Sequence, residues 1–221
     1  MTSNYFISQR LGFSNAQADL IQQMGVLPFL KKSFEGPLSI ETPKFMDDAP
    51  KTREEYRDLR KMDEMQKKKV AVAENLRIAS LSHTWVERMQ TEAYPLREKM
   101  TLFWHNHFVS GFKKTKISWA MWQQNQLFRE MAFGNYRELT RRILSDNAMI
   151  AYLDNTQNRA KAPNENLSRE LLELFTLGVG NYSETDIKEG ARALAGLNID
   201  DGGARYYKIW EDDGEDRKSV V

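Results

Sequence analysis

Apolar positions recur at three- and four-residue spacing along most of the chain, and Gly, Pro and capping residues divide that pattern into helices. Ser14 precedes a short helical pattern over Asn15–Met24 that Gly25 stops. Val26–Phe34 follows as a second helix with Pro28 in its first turn, where the missing N–H costs least. Residues 35–50 hold Pro37, Pro43 and Pro50 without a helical period and read as an internal loop. From Thr52 to about Thr91 neither Pro nor Gly occurs. Its first half, Arg53–Lys69, carries only the narrow stripe Tyr56, Leu59, Met62 and Met65. The second half, Val70–Met89, is richer in apolar residues and is expected to be more buried.

Pro95 opens the next helix, Leu96 to about Ser110, before Gly111. Ile117–Phe133, Tyr136–Leu144 and Asn147–Leu153 continue the helical pattern, and residues 154–162 read as a polar loop. Pro163–Leu177 predicts a long helix with Ala162 as N-cap and Gly178 and Gly180 as left-handed C-cap residues. Ser183 and Asp186 have capping-box spacing ahead of a helix that ends near Ala195. Arg205–Trp210, the turn at Asp212–Gly214, and Lys218–Val221 predict a short C-terminal β-hairpin. Strand signals are otherwise scarce. The expected fold is all-α, an irregular multi-helix bundle in a single helical domain over 1–221.

Composition narrows the function classes. The 32 basic and 31 acidic residues nearly cancel, which argues against nucleic acid as a partner. In Arg53–Lys69 the acids interleave with the bases, as on a solvated helix face. With no cysteine, thiolate nucleophiles and Cys-ligated metals are excluded. No apolar stretch reaches the roughly 20 residues that span a bilayer. The first ten residues lack the basic and apolar regions of a signal peptide, so the sequence by itself reads as cytoplasmic.

Two segments could carry chemistry. Trp104-His-Asn-His-Phe108 holds two of the three histidines. On a helix, residues two apart point about 200° from each other, so His105 and His107 cannot chelate one ion from a regular turn. His107 shares a stripe with Leu96, Met100 and Phe103, and His105 shares a face with Thr101 and Phe108. The string does not indicate a His-Asn-His nuclease, whose residues are spread over two strands and a helix. In the second segment, Leu167, Leu171, Leu174 and Phe175 form the expected apolar face, and Glu165, Arg169 and Glu173 the opposite ladder. Glu170 falls at the edge of the apolar face, where a carboxylate needs a partner. An EF-hand fails because Arg159 stands where the turn glycine belongs and Pro163 lies inside the loop. Trp119 and Trp122 share a face and read as core or pocket wall.

These residues point to a metal-dependent or acid/base enzyme, a hydrolase among its forms. His105, His107 and Glu170 are the catalytic candidates, and His107 with Glu170 the ligands for a divalent metal. Asn164, Glu165 and Asn166 stand beside them at the expected helix start. The competing reading is a non-catalytic scaffold or protein-interaction module.

Arg10-Leu-Gly-Phe-Ser14, Arg97–Phe108, Tyr152-Leu-Asp-Asn155, Pro163–Gly178 and Ala191–Gly196 together resemble the bacterial family called domain of unknown function 1800. Members are usually longer, so the resemblance implies that the chain is the N-terminal half of its protein. It also implies a helical protein, exported in many members and encoded beside a sulfatase-like partner. It supplies no activity and no assigned catalytic residue.

Overall fold

The computed structural model describes residues 3–207. The chain opens with α1 (Ser3–Leu11), α2 (Ala18–Met24) and α3 (Val26–Phe34), which pack in succession. A loop with one 3-10 turn (Lys44–Met46) leads to α4 (Arg53–Lys61) and the long α5 (Glu64–Thr91). Then come α6 (Leu96–His107), α7 (Phe112–Thr115), α8 (Ser118–Glu130), α9 (Tyr136–Leu144) and α10 (Asn147–Tyr152). After a second 3-10 turn (Asn155–Gln157), α11 (Asn166–Glu170) runs directly into a π-helical segment (Leu171–Thr176). Finally α12 (Glu184–Ala193) precedes β1 (Leu197–Asn198) and β2 (Arg205–Tyr206). The fold is mostly helical with a small hairpin, and no helix among the described residues is long and apolar enough to cross a membrane.

Local structure adds to or departs from the sequence pattern in four places. The N-terminal segment forms α1, although its sequence shows no clear period. Ser8 ties it down by donating to Ser14 O at 2.8 Å and accepting from Gln17 N at 3.2 Å. The stretch from Thr52 to Thr91 is two helices, because Thr52 with Glu55 and Asp63 with Gln66 each close a capping box that starts a new one. On α5 the buried residues are Glu74, Arg77 and Leu81, while Val72, Leu76 and Val86 face outward. A charged network holds that inner face: Arg77 pairs with Glu74 at 2.7 Å, and Glu74 accepts Ser118 N at 2.7 Å. In the hairpin, β2 pairs with β1, Leu197 opposite Tyr206, and the expected partner Lys218–Val221 lies outside the described residues.

The Pro163 helix departs furthest from its sequence pattern. It begins at Asn166, not Pro163, because two asparagines offer the backbone other partners. Asn158 Oδ1 accepts Asn164 N at 2.9 Å, and Asn164 Oδ1 accepts Asn166 N at 3.0 Å. Beyond Glu170 the turns widen to i→i+5 bonding, with Leu177 N on Leu172 O at 2.9 Å. The wider turn rotates the apolar face, so Phe175 is buried while Leu174 points outward. Gly178 then takes φ +80°, the left-handed cap its position predicts.

The main core gathers Phe108, Phe128, Ile143, Ile150, Leu167 and Phe175 from α6 and from α8 through the π-helical segment. A smaller cluster sets Met46 of the 35–50 loop against Leu81 and Trp122. Between α6 and α8 lies a buried ion pair, Glu98 with Arg129. These contacts fix α6, the helix that carries both candidate histidines.

Candidate functional site

His107 is the last residue of α6, and Phe108 caps that end by donating its N–H to Trp104 O at 2.8 Å. The imidazole is held by two elements distant in sequence. Its Nε2 lies 3.0 Å from the Tyr136 hydroxyl at the start of α9 and 3.3 Å from the carbonyl of Phe175. Tyr136 itself donates a short hydrogen bond to the same carbonyl. That carbonyl is one of those a helix end leaves without an intrahelical donor, and side chains from α6 and α9 satisfy it. The Phe175 ring anchors the arrangement, 3% exposed and packed 5.1 Å from Phe108.

Glu170 sits where α11 passes into the π-helical segment. It makes no hydrogen bond or ion pair with another described residue. Burial raises its carboxyl above the ordinary value, and the charge of Glu173 adds to the rise. His107 and Glu170 line one cleft of about 470 Å³ with Asn106, Tyr152, Leu174 and Phe175. No bond joins the two directly. Burial also pushes the Tyr136 phenol up, so it stays protonated at neutral pH.

The other candidates lie elsewhere. His105 points to the far side of α6, as the 200° separation requires. Its ring meets Trp85 edge-on at 5.6 Å and Phe128 at 6.1 Å, and burial holds its pKa below the usual imidazole value. Asn164 and Asn166 shape the entry to α11. Glu165 pairs with Arg169 at 3.0 Å, and Arg169 also holds Glu184 at 2.9 Å. None of these four lines the His107 cleft. The ladder expected from Glu165 to Glu173 stops at Arg169, because Glu173 instead accepts the Tyr182 hydroxyl at 2.6 Å.

Among the described residues no three His, Asp or Glu side chains form a group that could hold a metal ion. His107 and Glu170 would supply two ligands at most. Tyr152 and Asn106 complete the cleft, and Tyr136, which holds His107 from outside the lining, has no signal in the sequence. Tyr136 is 29 residues from His107, and no helical spacing relates them.

The profile of a family described as a protein of unknown function, DUF1800, matches residues 7–218. Both segments that build the cleft fall within that match. No curated protein and no solved structure matches the chain.

Proposed function

The chain belongs to the DUF1800 family, and on that footing we propose that it is an acid/base enzyme, in its simplest form a hydrolase, working in the cleft between α6 and the π-helical segment. One observation carries the reading: a fixed imidazole and an unpartnered carboxyl group line the same open cleft. Tyr136 commits its proton to the Phe175 carbonyl, so both oxygens near His107 Nε2 are acceptors. Neutral His107 therefore carries its proton on Nε2 and keeps the Nδ1 lone pair free. Glu170, with its raised carboxyl pKa, holds a proton to higher pH than an ordinary glutamate. An imidazole with one nitrogen free and a carboxyl group that keeps its proton longer than usual suit a base and an acid. His107 Nδ1 takes a proton from water as the water oxygen attacks an electrophilic carbon or phosphorus. Glu170 gives its proton to the leaving atom, and exchange with solvent resets both groups.

The metal-dependent form of this reading would use His107 Nδ1 and Glu170 as ligands and needs further donors from water or substrate. The test is hydrolysis of chromogenic esters, phosphoesters, amides and glycosides, with and without chelator, alongside metal analysis of untagged protein. His107→Gln or Glu170→Gln is expected to lower the rate by roughly 10²- to 10⁴-fold without unfolding the chain. Hydrolysis that neither substitution changes would overturn the assignment.

A second reading has its own support. Val109 and Leu174 line the cleft and Phe103 stacks on His107, and all three are about half exposed or more, with Leu174 at 60%. Such an apolar fringe suits a docking surface, and the sulfatase-like protein implied by the family resemblance is its candidate occupant. In that case Leu174→Glu would abolish co-purification with the partner while His107→Gln would leave it intact.

A further inference from the structure

On the other side of α6 a second cavity, of about 250 Å³, lies between α5, α6 and α8. Trp85, Trp122, Ile78 and Leu81 give it apolar walls. It is larger than the roughly 150 Å³ that accommodates benzene in an apolar core, so a single ring with a short arm fits. Three polar side chains in its lining have unmet hydrogen-bonding capacity among the described residues. Arg129, 0% exposed, places Nε and Nη2 on Glu98 at 2.8 and 2.9 Å, and its Nη1 has no partner. Neither ring nitrogen of His105 nor the amide of Asn125 bonds to a described residue, and both side chains line the same space.

The charge around the cavity also lacks a counterpart. Arg97 and Arg129 are both buried, and among the described residues Glu98 is the one carboxylate bonded to either. Arg97 gives its Nη1 and Nη2 to carbonyls, those of Arg129 and Phe34, both at 3.0 Å. Arg97 does not line the cavity but is tied to Arg129 through the Arg129 carbonyl, so two adjoining buried guanidinium groups share one buried carboxylate behind its wall. A buried N–H without an acceptor is uncommon enough to call for an explanation, and buried charges are normally paired. Apolar walls with a few converging polar groups are the usual form of a small-molecule site.

We propose that this cavity binds a small aromatic monocarboxylate, its ring between the walls and its carboxylate on Arg129 Nη1, with His105 and Asn125 completing the hydrogen bonds. The inference is independent of the His107 cleft, since it uses neither His107 nor Glu170.

Titration of the full chain with phenylacetate and with benzoate, read by tryptophan fluorescence, tests it, because Trp85 and Trp122 form the walls. Saturable binding is expected, about tenfold tighter than for the neutral amides of the same shape, the difference made by one charge-assisted bond. Arg129→Met strands Glu98 and risks unfolding, so the informative variants are His105→Phe and Asn125→Leu. Each should weaken binding several-fold at unchanged Tm, and Asn125→Trp, which fills the space, should abolish it. The proposal fails if no carboxylate of the panel saturates, if acid and amide bind alike, or if Asn125→Trp binds like the parent.

Discussion

The carbonyl of Phe175 is the point on which the His107 cleft is assembled. It accepts from Tyr136 and lies within reach of His107 Nε2, so one acceptor orients both side chains. Tyr136→Phe removes the better of the two donors and leaves the carbonyl to the imidazole. About 1 kcal/mol of stability should be lost, the net value of one such bond, measured as a lower urea midpoint. Glu170 offers a second test at this scale. Its carboxyl is raised first by burial and then by Glu173. Glu173→Gln removes the second cause, so the Glu170 carboxyl should titrate at lower pH in a carbon-detected NMR experiment. The sign also reaches stability. A carboxyl raised on folding stabilises below its ordinary pKa, and that contribution is lost as pH rises through the folded value. An unmoved Glu170 titration would show that Glu173 exerts no field there.

Among the elements, α11 and α12 meet through their smallest residues. A Cβ at Gly190 would lie 2.2 Å from Ser168 Oγ, and that hydroxyl is already committed to Ile187 O at 2.8 Å. Gly190→Ala gains about 1 kcal/mol of helix propensity but overpacks the crossing at a cost of roughly 1–3 kcal/mol, so it should destabilise. With Ser168→Ala in the background, the nearest remaining atom is the Cβ at 3.3 Å, and the same change should become neutral or stabilising. Urea midpoints of the four-member mutant cycle measure the coupling. Sequence reading fails at elements of this kind. Helices α3, α9 and α12 were legible because their caps and periods are local. The late start of α11 and its π-helical continuation were not, since they depend on Asn158 and on acceptors used by α6 and α9. The site was legible to the same extent. The angle between His105 and His107 follows from helix geometry, and Glu170 stood out at the edge of an apolar face. Tyr136, which holds His107, and Arg129 and Asn125 of the second cavity come from other helices, and nothing in the sequence ties them to these places.

Across the whole molecule, buried charge sets the pH range of stability. Burial works to raise the Glu98 carboxyl, but Arg129, Arg88 and the Trp85 N–H outweigh it and hold the group below its ordinary 4.5. Its contribution is present above that value and lost as pH falls through the lower folded one. Asp146 behaves in the opposite sense. It is 8% exposed, forms no ion pair with another described residue, and burial pushes its carboxyl up to about 7 against hydrogen bonds from Met149 N and Gln124 Nε2, both at 2.8 Å. Ionising it therefore opposes folding. Stability should be complete below the ordinary 3.8 as far as Asp146 is concerned, and lost as pH rises through about 7, by on the order of a few kcal/mol. The two groups together predict a maximum of Tm on the acid side of neutrality and a decline that is complete just above pH 7. Met149 N and Gln124 Nε2 donate to the same carboxylate oxygen, Oδ2, so the amide oxygen of Asp146→Asn can accept from both. The variant should thus fold and lose the decline between about pH 4 and pH 7. A pH profile of Tm parallel to that of the parent would show that Asp146 is already ionised in the folded chain, with its donors outweighing the cost of burial.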